Sequence, residues 1–252
     1  MKHITRAMCT ELLKLKRTLA LWLAIILPFV IAVLQFFVIY KNGVNYIDDG
    51  ESIWFWIFRQ TFSFWTLLGL SLFVTLETTL LSNLEHTNGG WKMLFALPVP
   101  RGAVYFAKLV VGLVIVVIST LSLSVFILGA GFLLELLKPG MGFNSAIPWF
   151  EVGKIAGIAF VGASLLVALH TWVGMRWGSF VIASGFGIAM TVSGLAVISS
   201  DYAIYYPWTL TAVSLNNFSR GLDYANGLLF AGMGALVVAL VGGWEFLRRD
   251  VL

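Results

Sequence analysis

The chain alternates long apolar runs with short polar connections. Five runs without a charged residue reach the roughly 20 residues needed to cross a hydrocarbon core: Thr18–Tyr40, Leu109–Leu134, Ile155–Met175, Trp177–Ser200 and Tyr224–Trp244. A sixth, Gln60–Leu76, becomes long enough if its helix begins near Ile53 and carries Arg59 close to one interface. Apolar residues fill these runs without helical or strand periodicity, so each helix needs an apolar surround on every side, which lipid supplies. The pattern predicts an all-α integral membrane protein with six transmembrane helices. Residues 1–252 form a single transmembrane domain, with spans at about 18–40, 53–77, 105–134, 154–175, 177–200 and 224–244. The first run is longer than the apolar core of a signal peptide and reads as a retained span.

Three polar stretches add detail. Before the first span, Glu11, Lys14, Lys16 and Arg17 alternate with Leu12, Leu13 and Leu15. This suits an N-terminal amphipathic helix on the inner leaflet, its basic residues at lipid headgroups, serving as a topology anchor or a docking surface. Between the second and third spans lies the loop 78–103. Glu77 precedes it, and a carboxylate at the bilayer centre costs about 2.5–3.5 kcal/mol on insertion scales, so the second helix is expected to leave the membrane near there. Asn88-Gly89-Gly90 permits a reversal, Trp91, Leu94, Phe95 and Leu97 suit a short amphipathic helix, and Pro98 and Pro100 stop it. Before the last span, the uncharged stretch Tyr202–Ser219 contains Tyr206, Pro207 and Trp208. It reads as an aromatic belt or as a re-entrant segment dipping into the outer leaflet, where non-helical backbone needs protein around it.

Composition supports the membrane reading. Hydrophobic residues make up 60% and charged residues 11%, against about 45–50% and about 25% in soluble domains. The net charge of +4 is spread between spans rather than gathered on one face, which argues against nucleic acid as a partner. With the N-terminus inside, eleven of the sixteen Lys and Arg residues fall on the inner side, so both termini are expected to be cytoplasmic.

Candidate chemistry is sparse. The one cysteine, Cys9, has no neighbours at metal-ligand spacing. An intramembrane protease would need clustered His and Glu, but the three histidines, His3, His86 and His170, form no His-Glu-x-x-His pattern. His170 reads as a packed or interfacial histidine. No G-x-x-x-x-G-K-[ST] loop is present, so the chain cannot cradle ATP phosphates by that route.

The stretch Glu85-His-Thr-Asn-Gly-Gly-Trp-Lys-Met-Leu-Phe-Ala-Leu-Pro-Val-Pro-Arg101, followed by Tyr105-Phe-Ala-Lys108, resembles the first cytoplasmic loop of ABC-2-type transporter permeases, in particular those of the bacitracin- and lantibiotic-resistance (immunity) type. Tyr206-Pro-Trp208 and the ending Glu245-Phe-Leu-Arg-Arg-Asp250-Val resemble the same group. The resemblance implies a permease of a bacterial cytoplasmic membrane that is not itself an enzyme and carries no cofactor. A separate cytoplasmic ATPase subunit would hold ATP and Mg, and a second permease subunit, identical or paralogous, would complete the transporter within membrane lipid. It implies that Glu85, Asn88, Gly90, Trp91 and Lys92 form the ATPase-coupling loop, and that Tyr206, Pro207 and Trp208 belong to an extracellular re-entrant segment. The expected function is export of an amphipathic peptide antibiotic or lipid-like substrate. The alternative is a non-catalytic membrane protein of immunity or assembly.

Overall fold

The computed structural model describes Met8, Thr10, Glu11, Leu13, Lys14 and residues 19–43, 50–87 and 100–248. The described residues of the N-terminal segment are helical. Among the described residues seven further α-helices follow: α1 Leu19–Asn42, α2 Ile53–His86, α3 Arg101–Leu137, α4 Trp149–Arg176, α5 Phe180–Val197, α6 Pro207–Ser219 and α7 Ala225–Arg248. All but α6 are long and apolar enough to cross a membrane, which gives six spans. No strand occurs among the described residues.

Successive spans run in opposite directions, so the bundle has two ends. The proximal end gathers the N-terminal helix, the end of α2, the start of α3 and the ends of α4 and α7. There, the His86 ring bonds the Gly174 carbonyl at 3.1 Å, and Glu245 accepts from Trp172 Nε1 at 2.7 Å and pairs with Arg176. The distal end gathers the start of α2 and the α3–α4 connection, where Trp54 Nε1 donates to the Ser145 carbonyl at 3.1 Å. Helix α4 is the central element, packed against α2, α3, α6 and α7. Large apolar side chains such as Trp22, Phe29, Val181, Val192 and Leu240 remain exposed on the rim, as helices facing lipid require.

Helix α2 runs on past Glu77 to His86, just before the Asn88-Gly89-Gly90 reversal, and Glu77 itself is buried within the bundle. The hydroxyls of Thr75, Thr78 and Thr79 each donate to the carbonyl four residues back at 2.7–2.8 Å, so the polar run is satisfied inside its own helix. No breaker occurs before Asn88-Gly89-Gly90. A π-helical turn, Trp65–Gly69, sits within the same helix, where Gly69 leaves room for the Trp65 ring. Helices α3 and α4 also start earlier than the apolar runs suggested, directly after Pro100 and Pro148. A proline before the first helical residue stops the preceding chain and demands nothing of the new helix.

Helix α6 has 13 residues, a length of about 20 Å that falls short of the roughly 30 Å hydrocarbon core. Its register along α4 shows how it sits. Trp208 meets His170, Leu210 clusters with Leu165, Thr211 abuts Gly162 and the Phe218 ring lies near Lys154. Because α4 runs from the distal to the proximal end, α6 starts deep in the bundle and climbs back to the distal surface. This is a re-entrant helix. Pro207 occupies its first turn, Gly221 reverses the chain at φ 67°, and the Asp223 side chain accepts from the Ala225 N–H at 2.9 Å, capping α7.

Candidate functional site

Two carboxylates and two ammonium groups meet at the proximal end. Glu11 and Lys14, three residues apart on the N-terminal helix, share one face. Glu85 lies in the last turn of α2, and Lys108 lies two turns into α3. Lys14 Nζ is 2.6 Å from Glu11 Oε1 and 2.7 Å from Glu85 Oε1. Lys108 Nζ is 2.9 Å from Glu11 Oε2 and 2.6 Å from Glu85 Oε2. The four side chains therefore close a ring of alternating charge, with each carboxylate bridging both lysines. Lys108 also donates to the Leu81 carbonyl at 2.9 Å, while its contact with Glu85 Oε2 is an ion pair without hydrogen-bond geometry.

The ring is almost dry. Lys108 is 2% exposed, Glu11 and Glu85 are also buried, and only Lys14 reaches the surface. Each ion loses solvation worth several kcal/mol at such a site, and only close geometry with fully used donors and acceptors offsets that loss. Burial pushes the Glu11 carboxyl up, but the ammonium groups of Lys108 and Lys14 outweigh it and hold the carboxyl below its ordinary value. Burial pushes the Lys14 ammonium down, but its bonds to Glu11 and Glu85 outweigh that and raise it. The structure thus turns Lys14 toward two carboxylates rather than toward lipid headgroups. Three chain segments are joined: the N-terminal helix, the end of α2 and the start of α3.

A second polar site lies deeper. Trp208 Nε1 donates to His170 Nε2 at 3.1 Å, and Thr75 Oγ1 lies 3.3 Å from the same nitrogen. An indole N–H can only donate, so Nε2 is the acceptor and the ring proton belongs on Nδ1. Ser71 Oγ donates to the Trp208 carbonyl at 3.3 Å. Gly187 of α5 closes the site: a Cβ there would lie 2.3 Å from Thr75 Cγ2 and 2.6 Å from His170 Cε1. Tyr206, just before α6, donates its hydroxyl to the Met190 carbonyl at 2.8 Å. Helices α2, α4, α5 and α6 meet at this node without a formal charge.

Of the residues expected in the coupling loop, Glu85 is held in the ionic ring, while Asn88, Gly90, Trp91 and Lys92 lie outside the described residues. Tyr206, Pro207 and Trp208 together form the deep head of the re-entrant helix. Lys108 stood out only as an inner-side charge and as the end of the Tyr105-Phe-Ala-Lys108 stretch, with no role in a site, and Thr75 was not weighed. The available signal was a lone lysine one helical stretch after a lone glutamate, both flanking one loop. Among the described residues no group of three or more His, Cys, Asp or Glu side chains is placed to hold a metal ion.

No curated protein and no solved structure matches the chain. The profile of the family described as ABC-2 family transporter protein matches residues 7–194, from the N-terminal helix through most of α5. The match covers most of the chain, including every residue of the ionic ring, and this multi-pass membrane protein therefore belongs to the ABC-2 transporter family.

Proposed function

We propose that the chain is the permease subunit of an ATP-binding-cassette exporter, driven by a separate cytoplasmic ATPase that supplies ATP and Mg. The ionic ring carries this reading. The loop that joins α2 to α3 lies in the chain between Glu85 and Lys108, and those two residues are fastened to each other and to the N-terminal helix. A push on that loop therefore moves three segments together rather than one. The proximal end is then the cytoplasmic side, as the excess of Lys and Arg there also favours. The re-entrant helix faces the exit, and α2 connects the two. A second permease subunit, identical or paralogous, completes the path through the bacterial cytoplasmic membrane. The cargo is an amphipathic peptide antibiotic or a lipid-like molecule, in keeping with an exposed apolar rim and ten Trp. Export of this kind gives resistance or immunity.

The test is biochemical. A tagged chain expressed with the ATPase encoded beside it is expected to bring that ATPase down. Glu85→Ala and Trp91→Ala are expected to keep the complex and its ATP hydrolysis while lowering export per ATP. A chain that never retains an ATPase, or variants with normal export, would contradict the reading.

A further inference from the structure

Glu77 is the buried acid that the ring does not use. It is 1% exposed, and neither carboxylate oxygen has a hydrogen-bond partner among the described residues. A carboxyl so placed is costly to ionise unless a cation joins it. Its position on α2 is informative. Glu77, Leu81 and Glu85 recur every four residues and form one slowly drifting stripe. Lys108 already binds two members of that stripe, the Leu81 carbonyl and the Glu85 carboxylate.

The neighbouring contacts fix which way the Glu77 sector faces. Two turns toward the distal end, Gly69 lies against Ile31 of α1, and one residue along, Thr78 lies against Gly112 of α3. Glu77 therefore occupies the sector between α1 and α3. Gly112 is one turn beyond Lys108 on α3 and level with Thr78, so Lys108 and Glu77 are separated by about five residues, ~7.5 Å, along the bundle axis. A four-carbon lysine stem and a glutamate stem together bridge that offset by changing rotamers.

We propose that Glu77 is a second binding site for the Lys108 ammonium. When Glu85 or the N-terminal helix withdraws, Lys108 swings along the stripe from the ring to Glu77. The donors are its own N–H groups and the acceptors are the two free oxygens of Glu77. Opening the ring then leaves no ammonium stranded in the bundle. Glu77 makes the ring reversible: a buried pair with no alternative acceptor would be strongly opposed to parting. The exchange is a property of this chain alone and stands whether or not the ATPase reading does.

Carbodiimide cross-linking tests it, because an amide forms only between an amine and a carboxyl already in contact. The full-length chain in lipid nanodiscs is treated with dicyclohexylcarbodiimide and its peptides are analysed by mass spectrometry. In the unaltered chain, Lys108 is expected to couple to Glu11 and Glu85, while Glu77 takes chiefly the reagent itself, which also shows that the reagent reaches it, with only a trace of the Lys108–Glu77 amide. In the double variant E11Q/E85Q, the Lys108–Glu77 amide is expected to rise about tenfold. If that variant does not assemble, E85Q alone, which keeps Glu11, gives a smaller rise in the same product. A Lys108–Glu77 amide absent from both variants overturns the proposal.

Discussion

At the proximal end four full charges close a ring, whereas deeper in the bundle Thr75, His170 and Trp208 meet with none. The ring draws on three segments brought together by folding, two of them separated by the loop between α2 and α3. The node draws on four helices whose backbones are already packed, and glycine at position 187 lets them close. Ionic contacts tolerate rearrangement when another counter-ion is near. The neutral node depends on shape and on one donor meeting one acceptor. Yet both hang on α2, since Thr75 and Glu85 are about 15 Å apart along one continuous helix. The contrast suits a lever: a switchable grip at one end, a fixed bearing in the middle, and a re-entrant helix resting on the bearing.

The comparison can be broken first at the ring. Lys108→Met removes the cation that both carboxylates share and is expected to cost about 3–5 kcal/mol, read as lowered thermal stability of the solubilised chain. Glu77 cannot compensate, because it too is acidic. The node is the next target. Trp208→Phe keeps an aromatic ring but gives up part of the indole volume together with the donor to His170, an expected loss of about 2–3 kcal/mol. Gly187→Ala forces a methyl group against Thr75 and His170 and is expected to cost about 1–3 kcal/mol, in the same assay, with little effect on the N-terminal helix.

Acidity and alkalinity sharpen the contrast further. The Glu11 carboxyl is depressed on folding, so its contribution is present above its ordinary value of 4.5 and disappears as pH falls through the lower folded value. Lys14 is raised on folding, so its contribution is complete below its ordinary value of 10.5 and disappears as pH climbs through the higher folded value. Docking of the N-terminal helix should therefore be flat between 4.5 and 10.5 and fail outside that window, measured by proteolysis near residue 14. The smallest effect is expected at the half-buried Glu151–Lys154 pair, 3.3 Å apart. Glu151→Gln should shift stability by no more than about 0.5 kcal/mol.

Much of the fold was legible because a membrane span is encoded by run length. The six apolar runs marked the six long helices, and an uncharged aromatic stretch with Pro207 marked the re-entrant helix. The end of α2 was legible in the Asn88-Gly89-Gly90 reversal, but the burial of Glu77 was not, because a carboxylate in a linear reading marks an interface and says nothing of the helices packed around it. The ring was legible only in part. Glu85 stood out by its loop, but its partners come from positions 11, 14 and 108, and no spacing rule joins them. His170 looked unremarkable because its meaning depends on Trp208, which only the re-entrant geometry delivers.

The central claim is that the ring is the main fastening of the N-terminal helix, beside the packing of Met8 against Ala103 and Ala107, and acts independently of the node. Hydrogen exchange by mass spectrometry tests it in the unaltered chain, Lys108→Met and Trp208→Phe. Lys108→Met is predicted to abolish amide protection around residues 8–14 while sparing 207–219, and Trp208→Phe is predicted to do the reverse. Retained protection of the N-terminal helix in Lys108→Met, or equal loss at both sites in either variant, would contradict it.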